Sequence, residues 1–126
     1  MIRVERITPE EAARFTDKPV APFRRSTEIW AVWNDGVLVL VSGVINFALA
    51  GSTEMWVIPC EAGLKARLWS TLRAARDMVA EAKRRYPRLI AQVSASSHRD
   101  RAFAKLCGFE ERKVRADAPD WLIYEA

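Results

Sequence analysis

The chain has 126 residues, half of them hydrophobic and 29% charged, a balance that suits one globular domain spanning 1–126 and leaves little room for a second. No membrane span is expected, because the longest apolar run, residues 36–50, is too short and is interrupted by Ser42, Gly43 and Asn46. The net charge of +4 permits contact with nucleic acid, but no aromatic residues interleave the basic ones, so nucleic acid is not an expected partner and a solvated basic face is the simpler reading.

The start of the chain, Met1-Ile2-Arg3-Val4-Glu5, does not read as a signal peptide. Two cysteines, Cys60 and Cys107, make neither a disulfide framework nor a zinc site; both are expected as reduced thiols, and no metal is expected. Ile2, Val4 and Ile7 suit a first strand. Thr8-Pro9-Glu10-Glu11 then announces a short helix through a capping box with proline at the first helical position. It fades at Asp17-Lys18-Pro19, and Pro22 should keep the next segment extended or looped.

Residues 27–33 and 37–45 are rich in β-branched and aromatic residues and flank Asn34-Asp35-Gly36, a strong hairpin signal. The second of these strands is apolar at nearly every position, as in a central strand covered on both faces. A further strand covers 53–58 and stops at Pro59. The spacing of Leu64, Leu68, Leu72, Ala75, Val79 and Ala82 predicts one amphipathic helix over 62–85, with Trp69 and Met78 widening its apolar stripe. Tyr86-Pro87 ends it, and a strand over 89–93 follows. Ser97-His98-Arg99-Asp100 reads as a second capping box, opening a helix whose Ala102, Phe103, Leu106 and Cys107 share a face and which Gly108 closes. Two last strands, near 109–115 and 121–124, should be joined by a turn at Ala118-Pro119-Asp120, with Tyr124 packed on the last strand and its hydroxyl at the surface. The alternation from Thr53 onward predicts parallel pairing through crossover helices.

This order resembles the GNAT superfamily of N-acetyltransferases with one early helix reduced or missing, most clearly from Thr53 to Phe109 and at the Gly108-Phe109 pair. The resemblance implies an α/β (α+β) fold: a mixed, largely antiparallel sheet of about six or seven strands flanked by two main helices and a short N-terminal one. A closer resemblance is to small GNAT-like proteins of tailed bacteriophages, including an internal virion protein of short-tailed phages. It is carried by Met55-Trp56-Val57, the long basic helix, Tyr86-Pro87-Arg88-Leu89 and Ser97-His98-Arg99. That likeness implies a virion-associated structural or assembly module, with other phage virion or assembly proteins as partners and the virion or host cytoplasm as its place.

The superfamily resemblance also implies acetyl-CoA as cofactor, held by Ile58, Cys60, Gly63, Lys65 and Ser97. The family seats the diphosphate with the pattern Q/R-x-x-G-x-G/A, in which small residues let helix-N-terminal amides approach the phosphates. Cys60 stands here for Gln/Arg, Gly63 matches, and Lys65 stands where a bare backbone belongs, although its ammonium could pair with a phosphate. The plainer reading is a strand-to-helix turn with Gly63 in the first helical turn. The tyrosine that often protonates the leaving thiolate is replaced by Ala104, and the family's asparagine is matched only loosely by Ser97. Glu54 sits where several members carry a general base; an exposed strand-end charge is the alternative. Cys60 at a long helix's N-terminus would have a lowered thiol pKa, but no histidine is placed beside it.

Two functions follow. The substitutions at Lys65 and Ala104 favour a scaffold with a degenerate site and no cofactor. The alternative is an N-acyltransferase that binds acetyl-CoA between strands splaying after Ile58 and after Leu89. It would transfer directly to a small amine or protein acceptor, with Glu54 or water as base.

Overall fold

The computed structural model describes residues 1–46, 51–115 and 117–126, apart from the side chain of Leu64. Leu64's expected place in the helical stripe, and the last four residues of the 36–50 apolar run, therefore lie outside the described residues.

Strand β1 (Ile2–Arg6) leads into α1 (Pro9–Thr16). The capping box forms in both directions: Glu11 N–H donates to Thr8 Oγ1 and Thr8 N–H donates to Glu11 Oε1, each at 3.1 Å. Asp17, with φ 54°, closes the helix. Pro22 lies neither in an extended segment nor in an open loop but in a 3-10 turn, Ala21–Arg25, whose early positions suit its fixed φ. That turn buries Phe23 against Trp56, with ring centroids 5.3 Å apart.

Strands β2 (Glu28–Asn34) and β3 (Val37–Asn46) form the expected hairpin. Asp35 and Gly36 both take left-handed backbone, φ 50° and 80°, which matches the twist of the flanking strands. The Asp35 carboxylate receives the Met1 amino group and, at 3.5 Å, the guanidinium of Arg67. β3 is covered on both faces, with Val39, Leu40 and Val44 in one apolar cluster and Val41 in the other.

The remaining strands are β4 (Thr53–Pro59), β5 (Leu89–Ser94), β6 (Glu110–Arg115) and β7 (Ala118–Glu125). They complete a seven-stranded sheet in the order β1-β2-β3-β4-β5-β7-β6. Among the described residues only β4 and β5 pair in parallel. The expected run of parallel crossovers stops there, because β7 inserts between β5 and β6 and is antiparallel to both. Ala118-Pro119-Asp120 is the start of β7 rather than a turn. Proline is tolerated there because the ladder to β6 is irregular between Val114 and Arg115, so no bond is asked of it.

The single long helix expected over 62–85 is two helices, α2 (Glu61–Ala66) and α3 (Leu68–Arg85), broken at Arg67 with φ −146° and ψ 49°. Gly63 explains the break. A Cβ at this position would lie 2.6 Å from the Val39 Cα, so the α2 backbone rests directly on β3. The chain must then turn before α3 can cross the sheet and bury Ala74, Ala75, Val79 and Ala82. Arg67 N–H still donates to Gly63 O at 2.8 Å, and Thr71 N–H to Arg67 O at 2.9 Å, so the joint is hydrogen-bonded on both sides.

Helix α4 (His98–Leu106) is capped from one side only. Asp100 N–H donates to Ser97 Oγ at 3.2 Å, while Ser97 N–H donates to Ser94 O at 3.2 Å instead of to the Asp100 carboxylate. Gly108, with φ 101°, follows its C-terminus as expected. Helices α3 and α4 cover one face of the sheet through Met55, Leu89 and Val93. Helix α1 covers the other through Ile7, Ile29 and Val41. Among the described residues no helix is long and apolar enough to cross a membrane.

Gly63→Ala should destabilise the protein by about 1–3 kcal/mol, because its nearest obstacle is β3 backbone that cannot swing away. Urea unfolding should show a lower midpoint with an unchanged slope.

Candidate active site

The β4/β5 ladder consists of Thr53↔Leu89 and Glu54↔Ile90 and no more. Beyond these pairs the strands part, and the edges they would offer each other stay unpaired between them. The splay therefore begins after Glu54 and Ile90, earlier on β4 than the expected point after Ile58. A cleft of about 540 Å³ opens at the parting. Its floor is Met55 and Val57 of β4 with Ala91 and Val93 of β5, and its walls come from the start of α3 and from α4.

The mouth of the cleft is apolar and exposed. Trp69, expected to widen the buried stripe, is 76% exposed, and Leu68, Leu106 and Trp121 are also exposed around the same opening. On α4 the buried positions are Ala104 and Cys107, with Phe103 half-buried, whereas Ala102 and Leu106 face outward. A helix beside a cleft has no sheet under part of its apolar face, so side chains that periodicity assigns to the core line the opening instead.

The break at Arg67 sets the polar end of the cleft. The front of the long helix is now Leu68, Trp69 and Ser70. Their amides meet no capping side chain and no acid in the first turn, an arrangement that favours an anion. Arg99 stands at the same cleft.

None of Glu54, Ile58, Cys60, Gly63, Lys65 and Ser97 lines the cleft. Ile58 packs in the cluster on the α1 face. Cys60 is the half-buried residue before α2, with its N–H donating to Val39 O at 2.9 Å. Burial pushes its thiol pKa up, against the lowering expected of a long helix's N-terminus, because the helix it starts is only six residues long and desolvation dominates. Gly63 is buried against Val39, Lys65 is exposed on α2, and Ser97 caps α4.

Glu54 stands at the point of splay, half-buried, on the strand face it shares with Trp56 and Ile58, opposite α3 and α4. Gln92 Nε2 donates to Glu54 Oε1 at 2.7 Å, and Arg115 Nη1 donates to Gln92 Oε1 at 2.6 Å. Arginine has only donors, so Gln92 must turn its oxygen toward Arg115 and its amine toward Glu54. Arg115 is held in turn by Asp117 through both carboxylate oxygens, at 2.9 and 2.5 Å. That fork keeps the Asp117 carboxyl below the usual carboxylate range. Sequence reading missed Gln92 and Arg115. Alternation does put Gln92 and Glu54 on one face, but Arg115 reaches Gln92 across β7, which lies between their strands, a placement that spacing along the chain does not encode.

A second polar cluster lies behind α4. Tyr124 is fully buried, contrary to the expected surface hydroxyl. Its hydroxyl donates to Glu111 Oε1 at 3.1 Å and accepts from Arg101 Nε at 3.5 Å. Insertion of β7 between two strands is what encloses it.

No family model matches the chain, and no curated protein matches it. Solved structures do. The ribosomal-protein-S18-alanine N-acetyltransferase of Escherichia coli superposes with a TM-score of 0.68 at 12% identity, over 99% of this chain and 92% of that one. The Campylobacter jejuni N-acetyltransferase PseH, in complex with acetyl coenzyme A, gives 0.66 at 11% identity, over 100% and 98%. A Bacillus subtilis acetyltransferase in complex with CoA gives 0.67 at 14% identity, over 99% and 97%.

The chain has the GNAT fold. The seven-stranded sheet and its flanking helices are present despite the low identity, with β1 and β2 joined through the eight-residue α1 and a short 3-10 turn. None of the three named structures is a phage protein, and the virion reading draws no support from them.

Cys107 is buried in the core, and desolvation raises its thiol pKa to about 11 from 9.0. The folded state therefore keeps its proton where the unfolded state loses it, and stability should fall as pH rises from 9.0 toward about 11. In urea titrations across that range, Cys107→Ala should show a shallower decline than the wild type.

Proposed function

We propose that the chain is an acyl-CoA-dependent N-acyltransferase acting on an amine. The parting of β4 and β5 after Glu54 and Ile90, with a roofed apolar cleft of about 540 Å³ between them, carries this reading. An extended thioester arm would lie between the strands against Met55, Val57 and Ala91. Its diphosphate would meet the uncapped amides of Leu68, Trp69 and Ser70, with Arg99 beside them. Lys65 is exposed on α2, so its flexible side chain is free to turn into solvent and leave room for a phosphate at the front of α3.

The helical side of the sheet would take the donor and the α1 side the acceptor, because Glu54 faces the latter. The amine nitrogen attacks the thioester carbonyl carbon, a C–N bond forms, and the C–S bond breaks with its electron pair leaving on sulfur. The proton lost by the amine goes to Glu54, directly or through a water. Ala104 offers no proton to the leaving thiolate, which a thiolate tolerates better than an alkoxide would, so the thiolate takes its proton from solvent.

Calorimetric titration with CoA tests the reading. Saturable binding below millimolar concentration is expected, and it should vanish in Ala91→Trp, which fills the slot between the strands; a thermal melt checks that the variant folds. No heat from CoA at millimolar concentration would overturn the proposal. Glu54→Gln should keep CoA binding and lower transfer to any accepted amine by about 10²- to 10⁴-fold.

A further inference from the structure

β1 is one edge of the sheet and β6 is the other. The two edges are treated differently. β6 reads Glu110-Glu111-Arg112-Lys113-Val114-Arg115, and its ladder to β7 is broken twice, between Glu111 and Lys113 and between Val114 and Arg115. Charges and bulges of this kind keep an edge from pairing. β1 is charged at Arg3, Glu5 and Arg6, but these are of both signs and it has no bulge: its register to β2 runs unbroken from Ile2↔Asn34 to Arg6↔Trp30, and Ile2 and Val4 are 43% and 53% exposed.

The hydrogen bonds of β1 fix which groups its free edge presents. Asp35 N–H donates to Met1 O at 3.1 Å and Ile7 N–H donates to Ile29 O at 2.9 Å, so the odd-numbered residues bond inward to β2. By the alternation of an antiparallel strand, Ile2, Val4 and Arg6 turn their N–H and C=O groups outward.

We infer that this edge pairs with the same edge of a second copy of the chain, antiparallel about a two-fold axis at Val4. In that register Val4 faces Val4 of the other copy as a hydrogen-bonded pair, and Ile2 faces Arg6. Every outward backbone group of the three residues then finds a partner. Arg3 falls opposite Glu5 of the second copy, twice by symmetry, in the non-hydrogen-bonded pairs where side chains stand closest. Two-fold axes one residue to either side would set Arg3 against Arg3 or Glu5 against Glu5, so charge alone selects the Val4 register.

The result is a continuous sheet across an isologous contact. Ile2 and Val4 of each copy lie on the α3 side, beside a groove of about 570 Å³ floored by Trp30 and Met78. In the pair, the aliphatic stem of the other copy's Arg6 covers Ile2 at the end of that groove. The inference does not depend on the proposed acyl transfer.

A single strand pair is a small interface, so association at about micromolar concentration or weaker is expected. Sedimentation of the untagged protein from about 1 µM to 1 mM should show a monomer passing to a dimer, with no larger species. Arg3→Glu and Glu5→Arg should each weaken association at least about tenfold, since each sets like charges opposite, and the double swap R3E/E5R should restore it. Val4→Pro should abolish association while preserving the fold, because that N–H makes no bond to β2. Circular dichroism melts establish that every variant is folded. A wild type that stays monomeric at about 1 mM would sink the inference. So would a dimer indifferent to the single swaps, or a double swap that fails to restore pairing.

Discussion

The contact between Gly63 and Val39 organises the half of the molecule around the parting of β4 and β5. It lets a helical backbone lie on a central strand with no side chain between them. Once α2 is seated there, the chain must break at Arg67 before it can cross the sheet as α3. The break moves the front of the long helix to Leu68–Ser70 and leaves Trp69 outside the core, at the opening between β4 and β5. A glycine whose spacing suggests a phosphate loop is thus explained by packing, and its effect on a phosphate would be exerted at a distance, by placing another helix terminus.

The parting of β4 and β5 costs the sheet the ladder bonds those strands would otherwise share, and the surrounding groups keep the gap from closing. Leu72 and Phe103 wall it on the helical side. On the opposite face the side chains of Glu54, Gln92, Arg115 and Asp117 form a chain of hydrogen bonds that ties β4, β5 and the end of β6 at a fixed separation. Each link has a donor facing an acceptor, so the Glu54 carboxylate is held with one oxygen engaged and the other available. The fixed carboxylate stands where the two strands begin to part, on the face of the sheet opposite α3 and α4.

The sequence by itself determined the succession of strands, the left-handed backbone at Asp35-Gly36 and Gly108, and the caps of α1 and α4. Each of these is set by neighbours within a few residues: Thr8 with Glu11, Asp35 with Gly36, Ser97 with Asp100. Tertiary structure decided what depends on distant partners. Periodicity runs through Arg67 without a fault, and only the approach of Val39 reveals the break. Leu68, Trp69 and Leu106 repeat as core residues do, yet the splayed strands leave them nothing to pack on. Tyr124 is enclosed because β7 enters between β5 and β6, an ordering that no local signal encodes. The Glu54–Gln92–Arg115 chain belongs to the same class: its members come from three strands whose adjacency is a property of the sheet, since hydrogen-bond partners across a sheet are chosen by topology and register and not by spacing along the chain.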